Sequence, residues 1–193
     1  MRIRAYTLTV NVNHAPHVSN DSSPLFTLAN CKPGIRNVAK KGEWIAAITP
    51  KNMGYRLAYL MQVGDSWTRE EYWQKFNRSR ADSIYKPTNG GYKLLKNPFH
   101  DADNSVTDTT CNRVLWSHRF YYFAEPYELG EKTARGLTLP KKYGSLCRSM
   151  RTRYGYLIDV PNDFVEWVMK QPGKLDKLAT LYPRDNHSCG QCQ

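Results

Sequence analysis

The sequence predicts a single α+β domain, built mostly of antiparallel strands with short helices at its periphery. Its 193 residues suit one domain, and a hydrophobic fraction of 40% is enough for a buried core. Strand-like runs and isolated amphipathic helices follow one another without the repeated strand–helix–strand units of a parallel sheet. We therefore expect one domain over residues 1–183 and a polar C-terminal tail over residues 184–193.

The N-terminal third alternates between strands and connections. Residues 1–10 alternate polar and apolar side chains and predict a first strand, whereas the polar residues 11–24 predict a long loop. A short helix is expected over residues 35–40. The apolar runs over residues 42–48 and 56–63 have the length of buried strands, and they are most simply an antiparallel pair.

The middle of the chain combines one clear helix with a long irregular segment. Residues 69–76 carry aromatic side chains at helical spacing, and Ser66 or Thr68 can cap this helix. Glu71 follows Thr68 by three residues, which is the spacing of a capping box. Residues 77–112 are polar and rich in turn formers, so we expect a long loop there with a binding or catalytic role.

Three further elements complete the domain. Residues 113–117 and 120–123 are rich in aromatic and branched side chains and predict two strands. Residues 164–169 predict an amphipathic helix near the C-terminus, with Asn162 or Asp163 available as its cap.

Excess positive charge is the first indication of a partner. The chain has 28 Lys and Arg against 17 Asp and Glu, a formal net charge of +11. Such a field concentrates polyanions, of which nucleic acid is the commonest, although many small proteins are basic for solubility alone. A basic stretch late in the chain is the expected phosphate contact, against the alternative of a solvated loop. Its members are Lys132, Arg135, Lys141, Lys142, Arg148, Arg151 and Arg153.

The sequence also indicates the cellular compartment and whether the cysteines are reduced. No window approaches the roughly 18 to 20 consecutive apolar residues of a membrane helix, and the N-terminus is too short and too polar to resemble a signal peptide. We therefore expect a cytoplasmic protein without a membrane partner. Five cysteines at irregular spacing predict reduced thiols rather than a disulfide framework.

A weak metal motif lies in the tail. Cys189 and Cys192, preceded by His187, have the ligand types and spacing of half a zinc site. A structural site needs four ligands, so another cysteine would have to approach the tail, the choices being Cys31, Cys111 and Cys147. The favoured alternative is an unliganded terminus.

Common catalytic signatures are absent from the sequence. It has no P-loop, dinucleotide-binding, zinc-protease, serine-hydrolase or zinc-deaminase motif. His100 lies beside Asp101 and Asp103, and an imidazole with carboxylates can perform acid–base chemistry or bind a metal. The alternative is a solvated loop in which these residues stabilise turns. Aromatic side chains could stack on unpaired bases, although most of them must form the core.

Several segments together resemble a known family. Residues 31–36 begin Cys-Lys-Pro and end Ile-Arg, residues 39–45 read Ala-Lys-Lys-Gly-Glu-Trp-Ile, and residues 56–63 read Arg-Leu-Ala-Tyr-Leu-Met-Gln-Val. Further matching segments are residues 71–73, 82–85, 100, 114–117, 120–123 and 135–136, and the helix around Trp167. Their order is similar to that of the nucleotide modification associated domain 2 family over nearly the whole chain. Glu43, Ser83 and Trp116 depart from the residues usual in that family.

This resemblance implies a role in systems that make or handle modified bases in DNA, often in phages and mobile elements, and it leaves the activity open. The strands around Trp44 and Tyr59 are also similar to those of PUA-like domains, small β-barrels whose pocket holds an extruded base. We therefore expect a PUA-like barrel that binds a modified base or nucleotide. DNA and other proteins of a modification system are the expected partners, and no particular cofactor is indicated.

The expected pocket surrounds the Cys31 segment. Its cations would contact phosphate or a base edge, its rings would stack on the base, and His100 would bond to the modification or act as acid or base. The expected pocket residues are Cys31, Lys32, Arg36, Trp44, Tyr59, Tyr85, His100 and Ser117. The alternative is a transferase or hydrolase in which Cys31 is the nucleophile and His100 its base, which requires the two to meet in one cleft. A third hypothesis is an interaction protein that binds no nucleotide.

Overall fold

A computed structural model of the protein describes residues 1–8, 17–18, 24–97, 100–123, 136–148 and 156–172. The strands are β1 (Arg2–Thr7), β2 (His17–Val18), β3 (Phe26–Leu28), β4 (Trp44–Ile48), β5 (Leu57–Gln62), β6 (Asp65–Thr68), β7 (Tyr85–Thr88), β8 (Gly91–Leu94), β9 (Arg113–Ser117), β10 (Phe120–Tyr122) and β11 (Tyr156–Asp159). The α-helices are α1 (Pro33–Val38), α2 (Arg69–Phe76), α3 (Ala102–Thr109), α4 (Ser145–Arg148) and α5 (Phe164–Met169).

The largest sheet has the strand order β10-β5-β4-β1-β11. Its neighbours pair antiparallel except β1 and β4, which are parallel. Strand β4 is buried along its whole length because one core cluster packs on each face of this sheet. Strands covered on both faces are continuous apolar runs, and the predicted antiparallel pairing of β4 with β5 is confirmed.

Two smaller sheets complete the α+β fold. Four strands form a second sheet in the order β2-β3-β9-β6, and β7 and β8 form a separate hairpin. Every pairing in these two sheets is antiparallel, so the mostly antiparallel architecture is confirmed. The described strands do not close on one another, and the PUA-like barrel is therefore not confirmed.

The prediction of one irregular segment over residues 77–112 is wrong. Strands β7 and β8 form a hairpin whose two-residue connection is Asn89-Gly90, and Gly90 has a φ of 101°. Asn-Gly is a strong signal for a two-residue hairpin turn, and of the two central residues here only Gly90 has a positive φ, which glycine adopts without steric cost. Helix α3 begins at an Asp101 cap and escaped prediction because its few apolar residues give no helical period, Val106 itself being 72% exposed.

The other predicted helix starts differ in how they are capped. Thr68 and Glu71 form both bonds of the predicted capping box at the start of α2, with the Glu71 Oε2 accepting from the Thr68 N–H at 2.7 Å. Asp163 lies at the start of α5, as predicted, but its carboxylate makes no cap bond and accepts from the Lys142 ammonium at 2.5 Å. Within the described chain, no helix has the length and apolar content to cross a membrane.

Candidate functional site

Cys31 lies in the connection between β3 and α1, in an unusual backbone conformation. Its φ is +55° and that of Lys32 is +45°, a left-handed region that non-glycine residues enter at a cost of about 1–3 kcal/mol. Hydrogen bonds on both sides hold this turn. The Cys31 N–H donates to Asp108 Oδ1 at 2.5 Å, and the Cys31 carbonyl accepts from Arg36 Nε at 2.8 Å. Strain maintained in this way is common at functional sites.

A thiol, an imidazole and a carboxylate lie in a row at this turn. Cys31 Sγ lies 4.0 Å from His100 Nε2, and His100 Nδ1 lies 2.8 Å from Asp108 Oδ2. Tyr85 donates its hydroxyl to the same Asp108 oxygen at 2.8 Å. The side chains of His100 and Asp108 are only 5% and 2% exposed. As whole residues, Cys31 and His100 are both half-buried and Asp108 is buried.

Burial and charge act in opposite directions on His100. Desolvation disfavours the imidazolium, but the Asp108 carboxylate and the Cys31 thiol outweigh it and raise the pKa of His100 to about 9. Desolvation likewise opposes ionisation of Asp108, yet its bonds from His100 and Tyr85 hold its pKa below the usual value. The site therefore favours a charged imidazolium beside the thiol at neutral pH.

This shift predicts a pH dependence of stability. A raised folded pKa contributes stability that is fully present below the unfolded pKa of 6.5 and is lost as the pH rises to about 9. We therefore expect the free energy of unfolding of the wild type to fall between pH 6.5 and about 9, relative to the His100→Gln variant. Urea titrations across this range measure the difference. The His118→Gln variant, which replaces an exposed histidine, is the control. If the free energy of unfolding has the same pH dependence in His100→Gln and His118→Gln, the raised pKa of His100 is contradicted.

Two buried guanidinium groups fix the loops that carry the row. Arg36 and Arg69 both donate to the Asp108 main-chain carbonyl, at 2.7 and 2.6 Å. Arg36 has no exposed surface and its remaining bonds go to the carbonyls of Cys31, Cys111 and Arg113. Burial and the neighbouring Arg69 lower the pKa of Arg36 to about 10. Arg36 is therefore not available for the expected phosphate contact, and its bonds instead stabilise the main chain that carries the site.

The rings expected to stack on a base lie inside the protein. Tyr59 is fully buried and its hydroxyl lies 2.5 Å from that of Tyr6, in the core cluster against which Cys31 packs. Trp44 is 7% exposed and belongs to the cluster on the opposite face of the sheet. Tyr85 is 3% exposed and bonds to Asp108. None of the three offers an open face in the described structure.

Lys32 and Ser117 have separate positions. The Lys32 ammonium donates to the Thr7 carbonyl at 3.3 Å and lies 5.0 Å from the centre of the Tyr6 ring, directly beside the Cys31 turn. Ser117 has no exposed surface, and its hydroxyl donates to the Arg119 carbonyl at 2.9 Å in the turn between β9 and β10. Lys32 thus adjoins the thiol, whereas Ser117 stabilises a turn.

The two acidic residues that the sequence suggests as partners of His100 are not its partners in the structure. Asp101 and Asp103 are exposed, and Asp101 caps α3 by accepting from the Asn104 N–H at 2.9 Å. The partner is Asp108, in the last turn of a helix that was not predicted. Arg69 was also missed, although a basic residue at the start of α2 opposes the helix dipole and so indicates a tertiary role.

The same three residues could hold a metal ion. Ligand atoms of Cys31, His100 and Asp108 all lie within 4.8 Å of one another, and Zn²⁺ accepts this ligand set. However, the two Asp108 oxygens already accept from the Cys31 N–H and the Tyr85 hydroxyl and face the His100 ring. The arrangement therefore favours Asp108 as the group that orients the imidazole over Asp108 as a ligand.

Only some of the residues predicted to contact phosphate lie in the described chain, and the two cysteines predicted to bind a metal in the tail do not. Lys141 and Lys142 are exposed beside α4, and Lys142 pairs with Asp163. Arg148 ends α4. The residues that lie outside the described chain are Lys132, Arg135, Arg151, Arg153, Cys189 and Cys192.

Comparison with known proteins adds one finding. The model of the family described as nucleotide modification associated domain 2 matches residues 1–150, which include Cys31, His100 and Asp108. No curated protein and no solved structure matches the chain significantly.

Proposed function

The chain belongs to the nucleotide modification associated domain 2 family, and from this premise we propose that it is an enzyme acting on a base or nucleotide through Cys31. The observation that carries the proposal is the row of thiol, imidazole and carboxylate, with 4.0 Å between Cys31 Sγ and His100 Nε2 and 2.8 Å between His100 Nδ1 and Asp108 Oδ2. A nucleophile beside a base that a third group orients is the general signature of covalent catalysis.

The proposed chemistry has two steps. In its neutral form, which becomes populated as the pH approaches its pKa of about 9, His100 accepts the proton of the Cys31 thiol at Nε2. The thiolate then attacks an electrophilic carbon of the base or of a substituent on it. A C–S bond forms, the bond to the leaving group breaks, and His100 returns the proton to that group. A water in a hydrolase, or an acceptor in a transferase, then gives a proton to His100 and attacks the same carbon. The C–S bond breaks, and His100 gives this proton to the Cys31 sulfur, which restores the thiol.

Asp108 supports both steps without changing its own protonation. Its carboxylate stabilises the imidazolium that forms when Cys31 loses its proton, and it fixes Nε2 as the nitrogen that faces Sγ. The gap of 4.0 Å between sulfur and nitrogen is compatible with this role, since catalytic hydrogen bonds are often long before substrate binds. The low exposure of His100 and Asp108 strengthens these interactions by excluding water.

Recognition of a modified base without chemistry is the second candidate. The net charge of +11 favours a polyanionic ligand in either case. A protein that only binds a base needs open rings or edges, however, and the rings of Trp44, Tyr59 and Tyr85 are packed in the core. This contrast is why we place catalysis first.

Covalent adduct formation distinguishes the two candidates. We expect the intact mass of the wild type to increase after incubation with one of a panel of nucleoside 5′-phosphates and DNA oligonucleotides with unmodified and modified bases. Cys31→Ser should form no thioester or thioether adduct, whereas Cys147→Ser, which changes a second half-buried thiol, should behave as wild type. Tight binding without an adduct, unchanged in Cys31→Ser, would instead favour recognition alone.

A further inference from the structure

The β7–β8 hairpin presents two faces of different character. Its inner face carries Tyr85, which bonds to Asp108, and Tyr92, whose hydroxyl donates to Asn112 Oδ1 at 2.9 Å. The Arg69 guanidinium lies 5.0 and 6.0 Å from the centres of these two rings. Because side chains alternate along a strand, Lys86 and Lys93, which are the neighbours of these two tyrosines in β7 and β8, point outward.

Two lysines face each other on the outer side of this hairpin. Lys86 and Lys93 are directly opposite in the strand register, and both are exposed. Like charges at opposed positions destabilise a strand pair. Neither lysine forms an ion pair with a described residue. The arrangement is therefore unfavourable in the isolated protein and becomes favourable when an anion lies between the two ammonium groups.

Two more cations lie at the base of the hairpin. Arg78 donates to the Lys96 carbonyl at 3.2 Å, which brings these two exposed residues together. We call Arg78, Lys86, Lys93 and Lys96 the hairpin cation patch. No acidic residue of the described chain is ion-paired with any member of the patch. A row of several cations matches the repeated charge of a phosphate backbone better than a single phosphate.

The patch and the Cys31 site share strand β7, in which Tyr85 faces inward and Lys86 outward. Lys86 follows Tyr85, the residue that holds Asp108, so their Cα atoms are about 3.8 Å apart. We propose that the hairpin cation patch binds the phosphate backbone of a nucleic acid strand and thereby presents a base of that strand to Cys31. This proposal rests on the proposed function and names its substrate class as a base within a strand, in preference to a free nucleotide.

Oligonucleotide binding tests the patch. Affinity for a fluorescein-labelled single-stranded DNA is measured by anisotropy over a range of salt concentrations. For Lys86→Gln/Lys93→Gln we expect binding at low salt to weaken about tenfold. The slope of log affinity against log salt, which is negative, should become smaller in magnitude by about 1.4, since each phosphate contact on a single strand contributes about 0.7. The control Lys51→Gln/Lys170→Gln removes the same charge from two other exposed lysines and should leave this slope unchanged.

Two results would overturn the proposal. Equal losses of DNA affinity in both double variants would show that binding depends only on the net charge of the protein. Wild-type affinity in the hairpin variant, together with increased self-association, would show that the lysines only protect an exposed strand edge. Alkylation of Cys31 by iodoacetamide, unchanged in the hairpin variant, checks that the Cys31 site is intact. Patch-dependent binding without any adduct at Cys31 would refute the proposed enzyme and leave the patch standing.

Discussion

Replacing Asp108 with Asn is expected to slow adduct formation at Cys31 by about 10⁴-fold, the loss seen when the orienting carboxylate of a Ser-His-Asp triad becomes an amide. The amide keeps the shape of the side chain but loses the charge that favours the imidazolium of His100. It also loses an acceptor for the Tyr85 hydroxyl. Rates are measured by intact mass with the substrate that labels Cys31, and with iodoacetamide as a probe that needs no substrate pocket.

Two companion variants make this result decisive. Asp103→Asn changes an exposed carboxylate of the same helix and should react as wild type. Tyr85→Phe removes a single bond to Asp108 and should lower the rate about tenfold, consistent with the loss of one charge-assisted hydrogen bond of about 1.5 kcal/mol. Circular dichroism checks that each variant is folded. Equal rates for Asp108→Asn and Asp103→Asn in folded protein would refute a triad.

Replacing Arg36 with Met is expected to lower the free energy of unfolding by about 3–5 kcal/mol, because each buried carbonyl left without a donor costs about 1–3 kcal/mol. Arg36 has no exposed surface and donates to four main-chain carbonyls. Those of Cys111 and Asp108 keep a bond from Arg69, whereas those of Cys31 and Arg113 lose their guanidinium donor. Methionine fills much of the volume but donates no hydrogen bond. Urea unfolding measures the loss of stability.

Arg119→Met is the matched control for this experiment. Arg119 is exposed, donates to Gln62 at 3.1 Å and lies 5.2 Å from the centre of the Trp44 ring, so its removal should cost about 1 kcal/mol or less. If Arg36→Met does not fold, Arg36→Lys, which keeps the charge and fewer donors, should fold with an intermediate loss. A loss no larger than that of Arg119→Met would show that Arg36 does not support the Cys31 loop.

Local patterns account for the elements that the sequence predicts well. Strands β4 and β5 are continuous apolar runs, and the capping box joins Thr68 and Glu71, which are only three positions apart. The hairpin was missed although Asn89-Gly90 is a strong turn signal, since the polar residues around it hide the strand pattern. Helix α3 has few apolar residues, and burial of Asp108 and the Asp101 cap replace hydrophobic periodicity as its support.

The sequence by itself determined the α+β class, the positions of the main strands along the chain, the family resemblance and the choice of Cys31 and His100 as candidate residues. Only the tertiary structure decided that Cys31 faces His100, that Asp108 is the third member, and that Arg36 is a buried support. Cys31 and Asp108 are 77 positions apart in the chain. Such contacts depend on how separate elements pack, because a charged side chain enters the core only where distant backbone carbonyls supply its hydrogen bonds.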